Sequence, residues 1–198
     1  MAFPHLVIAR FYEPIGPMDR GSRYEDPLHA ALDEVKAGEV TGGGSQLNAS
    51  GGIDYAEIEI ELADLEAALD LVVAGLERAG APRGSELIQG DRVLREFGQH
   101  ECLAIYLDGT SLPDEVYATL DFDQVVKDIG ALAGPDSYHG AAQGAEETGL
   151  MLFGPDAEAM FARVEPLLKT LPIGQNARVV IREGKKGVNP RTTRMPRH

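Results

Sequence analysis

The chain has 198 residues, no tryptophan, one cysteine, and 18 lysines and arginines against 32 aspartates and glutamates. Each shortage excludes something. With Cys102 alone no internal disulfide can form, and a reducing, cytoplasmic setting is expected. No apolar run approaches the roughly 20 residues of a membrane span. The start, Met1-Ala2-Phe3-Pro4-His5-Leu6, lacks a basic region followed by an apolar stretch, so no secretory signal is expected. The shortage of cations leaves a net charge of −14. The deficit is uneven. Gly184 to His198 holds five basic residues and no acidic one, so residues 1–183 carry 13 basic and 32 acidic side chains, a net of −19. Such a body repels nucleic acid phosphates and acidic lipid. Neither is expected as a partner. A basic protein, cations or plain solubility fit the charge.

Catalytic signatures are missing too. There is no Gly-x-Ser-x-Gly elbow, no Cys-x-x-Cys and no His-x-x-x-His among His5, His29, His100, His139 and His198. Thr41-Gly42-Gly43-Gly44-Ser45-Gln46 lacks the Gly-Lys-Ser/Thr ending of a phosphate loop. It leads into a hairpin instead of a helix N-terminus, where anions are held. No catalytic residue, cofactor or metal site is therefore expected.

What is present is a change of period. In Tyr55 to Leu62, Ala56, Ile58, Ile60 and Leu62 alternate with Tyr55, Glu57, Glu59 and Glu61. Period two marks a strand with one dry and one wet face. Leu65, Leu69, Val72, Val73 and Leu76 then recur at helical spacing, so a helix follows that covers the dry face.

Taken in order, Leu6 to Tyr12 reads as a strand, and Asp19 to Arg23 as a polar loop. A helix starts at Asp26-Pro27 and carries Leu28, Leu32 and Val35 on one side. A glycine-rich segment from Val40 to Asn48 and the Ile53 strand form a hairpin. The Asp64 to Ala79 helix and Ser85 to Ile88 complete a βαββαβ, ferredoxin-like order.

The pattern then restarts. At an offset of 97, Leu6 meets Leu103, Ile8 meets Ile105, and Asp26 meets Asp123; after the hairpin the offset is 92, and Asp64 meets Asp156. The second half reads as strand Cys102 to Leu107, helix Phe122 to Ala133, strands Tyr138 to Ala145 and Gly149 to Phe153, helix Ala157 to Leu171 and strand Arg178 to Arg182. Leu112 to Tyr117 is an insertion of one short turn. Asp121 and Gln124 fit a capping box, and Pro166 lies inside the last helix.

The expected organisation is an α+β chain of tandem duplicated ferredoxin-like repeats with antiparallel sheets. The repeats cover 1–90 and 99–184, a polar linker covers 91–98, and a basic mobile tail covers 185–198.

Two groups of residues are candidates for function. Glu57, Glu59 and Glu61 lie about 6–7 Å apart along one strand face, where their repulsion calls for water, a cation or a basic partner. With Tyr55 they form a candidate surface for a basic protein. The spacing also suits a glycosidase pair, but no aromatic sugar platform accompanies it. The second half does not repeat the row; Gly149, Met151 and Phe153 stand at the matching positions. That half presents an apolar face that needs a cover, the other half, the tail or a second copy. Ser45, Gln46, His139 and Gln143 mark a candidate pocket for a small-molecule regulator or an enzyme. Cys102 is expected as a small buried hydrophobe.

Val40 to Leu47 with Gly80 to Ser85, and Leu112 to Tyr117 with Gly154 to Ala159 and Ala177 to Arg182, resemble a group of uncharacterised bacterial proteins. In size, acidity and α+β build the chain is also similar to immunity proteins of bacterial toxin systems. That likeness implies a non-enzymatic inhibitor or regulator that holds a basic partner.

Overall fold

The computed structural model describes residues 3–49, 51–184 and 190–197. The chain divides into two units, 1–100 and 101–198. In the first, β1 (His5–Phe11), β2 (Gly38–Leu47), β3 (Ile53–Leu62), β4 (Ser85–Gln89) and β5 (Arg92–Phe97) form one antiparallel sheet in the order β2-β3-β1-β4-β5. The helices are α1 (Pro17–Arg20), α2 (Asp26–Glu34) and α3 (Leu65–Arg78). In the second, β6 (Glu101–Asp108), β7 (Tyr138–Gln143), β8 (Glu147–Gly154), β9 (Arg178–Arg182) and β10 (Arg191–Arg194) form a sheet in the order β10-β9-β6-β8-β7. Its helices are α4 (Asp114–Ala118), α5 (Phe122–Ala133) and α6 (Ala157–Thr170). Both sheets keep the ferredoxin-like order, and both add a fifth strand against the fourth.

The alternation in β3 sets the first core. Ala56, Ile58, Ile60 and Leu62 are fully buried and pack with Val7, Ala9 and Phe11 of β1 and with Leu28, Leu32, Val72 and Leu76 of the helices. Each large aliphatic side chain removed from water there contributes roughly 1.5–3 kcal/mol. The second core repeats the scheme with Leu103, Ile105, Leu150 and Leu152 under Val125, Ile129, Val164 and Leu168. Asp64 and Asp156 accept from the N–H of Ala67 and Ala159 and cap the equivalent helices α3 and α6. Asp121 caps α5 through the N–H of Gln124, but the Gln124 side chain bonds Asp128 instead of returning to the cap, so only half of the capping box forms.

Five expectations need correction. The polar loop at Asp19 to Arg23 is helical: Pro17 starts α1, and a π-helical turn, Gly21–Glu25, runs directly into α2. Asp26 is therefore a helical residue and not a cap. The wider turn lets the Asp26 N–H reach back to Gly21, just before Pro27, which has no N–H to give. It also turns both Arg20 and Tyr24 inward; Tyr24 stacks on Phe11 at 4.3 Å. Val35 does not extend the buried stripe and is 60% exposed, because α2 ends at Glu34 and Lys36 takes a positive φ.

The stretch 91–98 is not a bare linker, for it holds β5. The tail is not free either: Arg191–Arg194 pairs with β9 as β10. Residues 185–189 and His198 of the expected tail lie outside the described residues. The two added strands are equivalent. Arg92 lies opposite Gln89 and Arg191 opposite Ile181, which match at the offset of 92. Phe97 lies opposite Ser85, and the Met195 N–H donates to Ala177, again a matching pair. β5 ends on buried Phe97 and β10 is followed by buried Met195, and each of these residues seals its own core. The duplicated unit is thus a five-stranded sheet.

Candidate functional site

The outer face of the first sheet is the side opposite the helices. Pairing β3 antiparallel to β1 sets Arg10 opposite Glu57, Ile8 opposite Glu59 and Leu6 opposite Glu61. Pairing it to β2 sets Gly44 opposite Glu57, Gly42 opposite Glu59 and Glu39 opposite Glu61. Directly opposed residues share a face. The predicted row does lie together on this face, but its members are not alike. Glu57 accepts from Arg10 Nε at 2.7 Å, and Nη2 lies 2.6 Å from the same oxygen. Arg10 also lies 4.5 Å from the centre of the Tyr55 ring, and Tyr55 meets Tyr12 edge-on. The Tyr12 hydroxyl donates to Glu86 at 2.9 Å. Burial works against the Arg10 charge, but the bonds to Glu57 and Tyr12 outweigh it and hold its pKa above the ordinary value.

Glu59 and Glu61 differ. Among the described residues neither forms an ion pair, and the carboxylate facing Glu61 across the ladder is Glu39. Beside them Leu6 is 49% exposed. The result is a group of three uncompensated carboxylates, Glu39, Glu59 and Glu61, with an exposed apolar side chain directly beside Glu61. Glu39 and Leu6 escape a reading of β3 alone; the ladder register brings them in.

The other candidate residues divide between the two units. Ser45 and Gln46 are consecutive in β2 and take opposite faces; Ser45 accepts from Arg20 Nη1 at 3.2 Å on the helix side. Arg20 is itself buried against β2 and donates to Glu25 at 2.5 Å. A Cβ at Gly43 would come within 3.0 Å of its guanidinium, so a glycine there makes room for it. In the second unit His139 is buried and tilted against Phe153, with ring centres 4.7 Å apart. Gln143 lies opposite Thr148, on the other face of the sheet from Phe153, and is exposed. An open groove of about 330 Å³ lies along α5, lined by Val126, Gly130, Ala131, Pro135 and Tyr138, and includes none of the four.

The outer face of the second sheet carries the apolar cluster Cys102, Ala104, Met151, Phe153 and Val180. Cys102 is buried, and Arg182 Nη2 donates to its sulfur at 2.7 Å. Next to this cluster Arg178 bonds Glu147 and lies 3.8 Å from the Tyr106 ring centre. An arginine–glutamate–tyrosine group thus recurs in both units, with the glutamates on the equivalent strands β3 and β8 and the arginines and tyrosines on non-equivalent ones.

One carboxylate unmarked in the sequence has the most perturbed environment. Asp108 ends β6 and is 8% exposed. It accepts from the Ser111 hydroxyl, the N–H of Thr110 and Ser111, and Asn176 Nδ2 at 2.6 Å. Burial alone would raise its pKa; those donors outweigh burial and hold it well below the ordinary carboxylate value. Arg197 in turn donates to the Ser111 carbonyl and hydroxyl. The bonds to Thr110 and Ser111 close the loop after β6 and Asn176 ties it to the stretch before β9, so Asp108 acts as a structural anchor. Among the described residues no group of three or more His, Cys, Asp or Glu is placed to hold a metal ion, and no helix is long and apolar enough to cross a membrane.

No protein-family model matches the chain, and no curated protein matches it. Several solved structures align with most of the chain. The regulatory subunit of aspartate kinase from Thermus thermophilus is 15% identical over 82% of this chain and 91% of its own, with a TM-score of 0.26. A monooxygenase-like protein from Lactobacillus acidophilus is 15% identical over 82% of each chain, TM-score 0.29. Another from Fusobacterium nucleatum is 12% identical over 96% of this chain and 98% of its own, TM-score 0.29. These likenesses are distant, and the ferredoxin-like assignment rests on the strand order itself.

Proposed function

We propose that the protein is a non-enzymatic binding module that docks a basic protein on the outer face of its first sheet. The observation that carries this reading is the opposition of Glu39 and Glu61 beside Glu59, with no cation paired to any of them among the described residues. Like charges directly opposite on a sheet are destabilising. Lysines or arginines from a partner would relieve that repulsion, and exposed Leu6 offers apolar area beside Glu61. Glu57 and Tyr55 take a lesser part, because Arg10 already occupies them. An immunity-type inhibitor of a basic toxin is one form such a module would take.

The test is a titration with a labelled lysine-rich peptide, followed by fluorescence anisotropy. Joint replacement E39Q/E59Q/E61Q should weaken binding at least about tenfold, that is about 1.4 kcal/mol. Neutralising three other exposed carboxylates, E34Q/E66Q/D123N, changes the net charge equally and should cost far less. Equal losses from both sets would leave only non-specific charge attraction and sink the reading. A saturable thermal shift with a small metabolite would favour the ligand-binding alternative.

A further inference from the structure

The exposed edge of the first sheet adds a second feature to this face. The carbonyl of Glu59 accepts from the Thr41 hydroxyl, so the main-chain groups of Glu57, Glu59 and Glu61 are turned toward β2. Residues opposite Ile58 and Ala56, namely Gly43 and Ser45, therefore turn their own N–H and C=O groups away from β3. Among the described residues nothing bonds these groups; the one main-chain donor on this side that is taken is Val40, which gives to His29 Nδ1 at 3.3 Å. Sheet edges are ordinarily blunted by charge, proline or bulges. The opposite edges carry arginines, Arg92 and Arg95 on β5 and Arg191 and Arg194 on β10. From Val40 to Asn48 there is no charged residue and no proline. Between its irregularities at Val40/Gly42 and Gln46/Leu47 the strand is regular.

Side chains leave the path from this edge to the carboxylates open. A Cβ at Gly44 would meet nothing within 4 Å, and one at Gly42 would sit 3.6 Å from Glu59 Oε2. A strand added beside β2 would lie about 10 Å from β3. That gap is bridged when a lysine or arginine and a glutamate extend toward each other across a glycine.

Building on the docking reading above, we propose that the partner presents an extended segment with lysine or arginine at alternate positions, which adds to β2 as a sixth strand. Main-chain bonds to Gly43 and Ser45 supply affinity, and the basic side chains meet Glu39 on β2 itself and cross Gly42 to Glu59, with Glu61 behind Glu39. A second copy of this chain fits less well, because it brings the same glutamates and a further net charge of −14.

The probe is a seven-residue peptide of lysine alternating with valine or threonine, with two versions N-methylated at odd or at even positions. Ser45→Pro removes the outward N–H, and Ser45→Ala removes the hydroxyl while keeping it. Expected are a loss of at least about tenfold for S45P, native-like binding for S45A, and a comparable loss for only one of the two methylated peptides. The methylated peptides act on the unaltered protein, so they decide the matter even if S45P fails to fold. If S45P and both methylated peptides bind as the parents do while E39Q/E59Q/E61Q still loses affinity, strand addition is wrong and the docking face stands. If E39Q/E59Q/E61Q changes nothing, the docking face itself is wrong. Concentration-dependent self-association in light scattering, abolished by S45P, would make a second copy the occupant and overturn the proposal.

Discussion

Asp108 shows how one side chain can hold a loop system whose members lie far apart in sequence. Five donors converge on it, the Tyr117 hydroxyl among them, and Asn176, at a positive φ of 60°, comes from 68 positions downstream. Replacing it by Asn keeps the size but turns an acceptor-only carboxylate into an amide that presents donors to donors. Asp108→Asn should cost about 1–3 kcal/mol at neutral pH, read as a lower denaturation midpoint. The pH dependence follows from its lowered pKa. In the unfolded chain the carboxyl titrates near its ordinary value of about 3.9. Above that value the stabilisation is fully present; as pH falls below it, the unfolded state takes up the proton first and the contribution is lost. The stability difference between native protein and D108N should therefore shrink as pH falls below about 4. A difference that stays constant down to pH 2 would refute the anchor. The reach of 68 positions also explains why no spacing in the sequence marked Asp108. Arg10 escaped for a related reason: Glu57 faces outward in the alternation of β3, but its partner appears only once the register of β1 is fixed.

Elements were legible in proportion to their apolar rhythm. β3, α3 and α5 fall where period two or helical spacing puts them, because each buries one face. β5 and β10 have no such rhythm; apart from partly buried Leu94, the strand residues before Phe97 are exposed, and all four residues of β10 are exposed. Their positions come from main-chain pairing and one apolar residue each, Phe97 and Met195, both 5% exposed. Those two residues should therefore carry most of what the added strands contribute. Met195→Ala should cost about 2 kcal/mol, the low end for a buried Met on a short edge strand, and Phe97→Ala about 3 kcal/mol or more. Thr192→Ala and Thr193→Ala, by contrast, should stay within about 0.5 kcal/mol. Hydrogen exchange is the sharper readout: Met195→Ala should speed exchange across Arg178–Arg182 and leave the amides of β1 and β3 unchanged. Equal protection in both variants and the native protein would mean that β10 is a passenger.

At the scale of the whole chain, duplication was legible and so was the difference between its halves. The first unit, residues 1–100, carries eight basic and 18 acidic side chains, a net of −10; residues 101–198 carry ten and 14, a net of −4. Five of those ten cations lie beyond residue 183, where β10 brings Arg191 against Glu158 of α6. Compensation thus falls to the second unit, and the first keeps its field. A field of that kind mainly accelerates encounter with a basic partner, whereas contacts made after docking set the dissociation rate. Raising ionic strength from about 0.1 M to about 1 M shortens the screening length from about 10 Å to about 3 Å. The association rate of the lysine-rich peptide should then fall by an order of magnitude or more, and dissociation should change far less. Stopped-flow mixing at both salt concentrations separates the two rates. E34Q/E66Q/D123N, which dilutes the field but leaves Glu39, Glu59 and Glu61 in place, should slow association slightly and leave dissociation alone. E39Q/E59Q/E61Q should raise dissociation as well, because it removes groups that remain in contact after docking. If salt acts chiefly on dissociation, the charge of the first unit serves local pairing rather than steering.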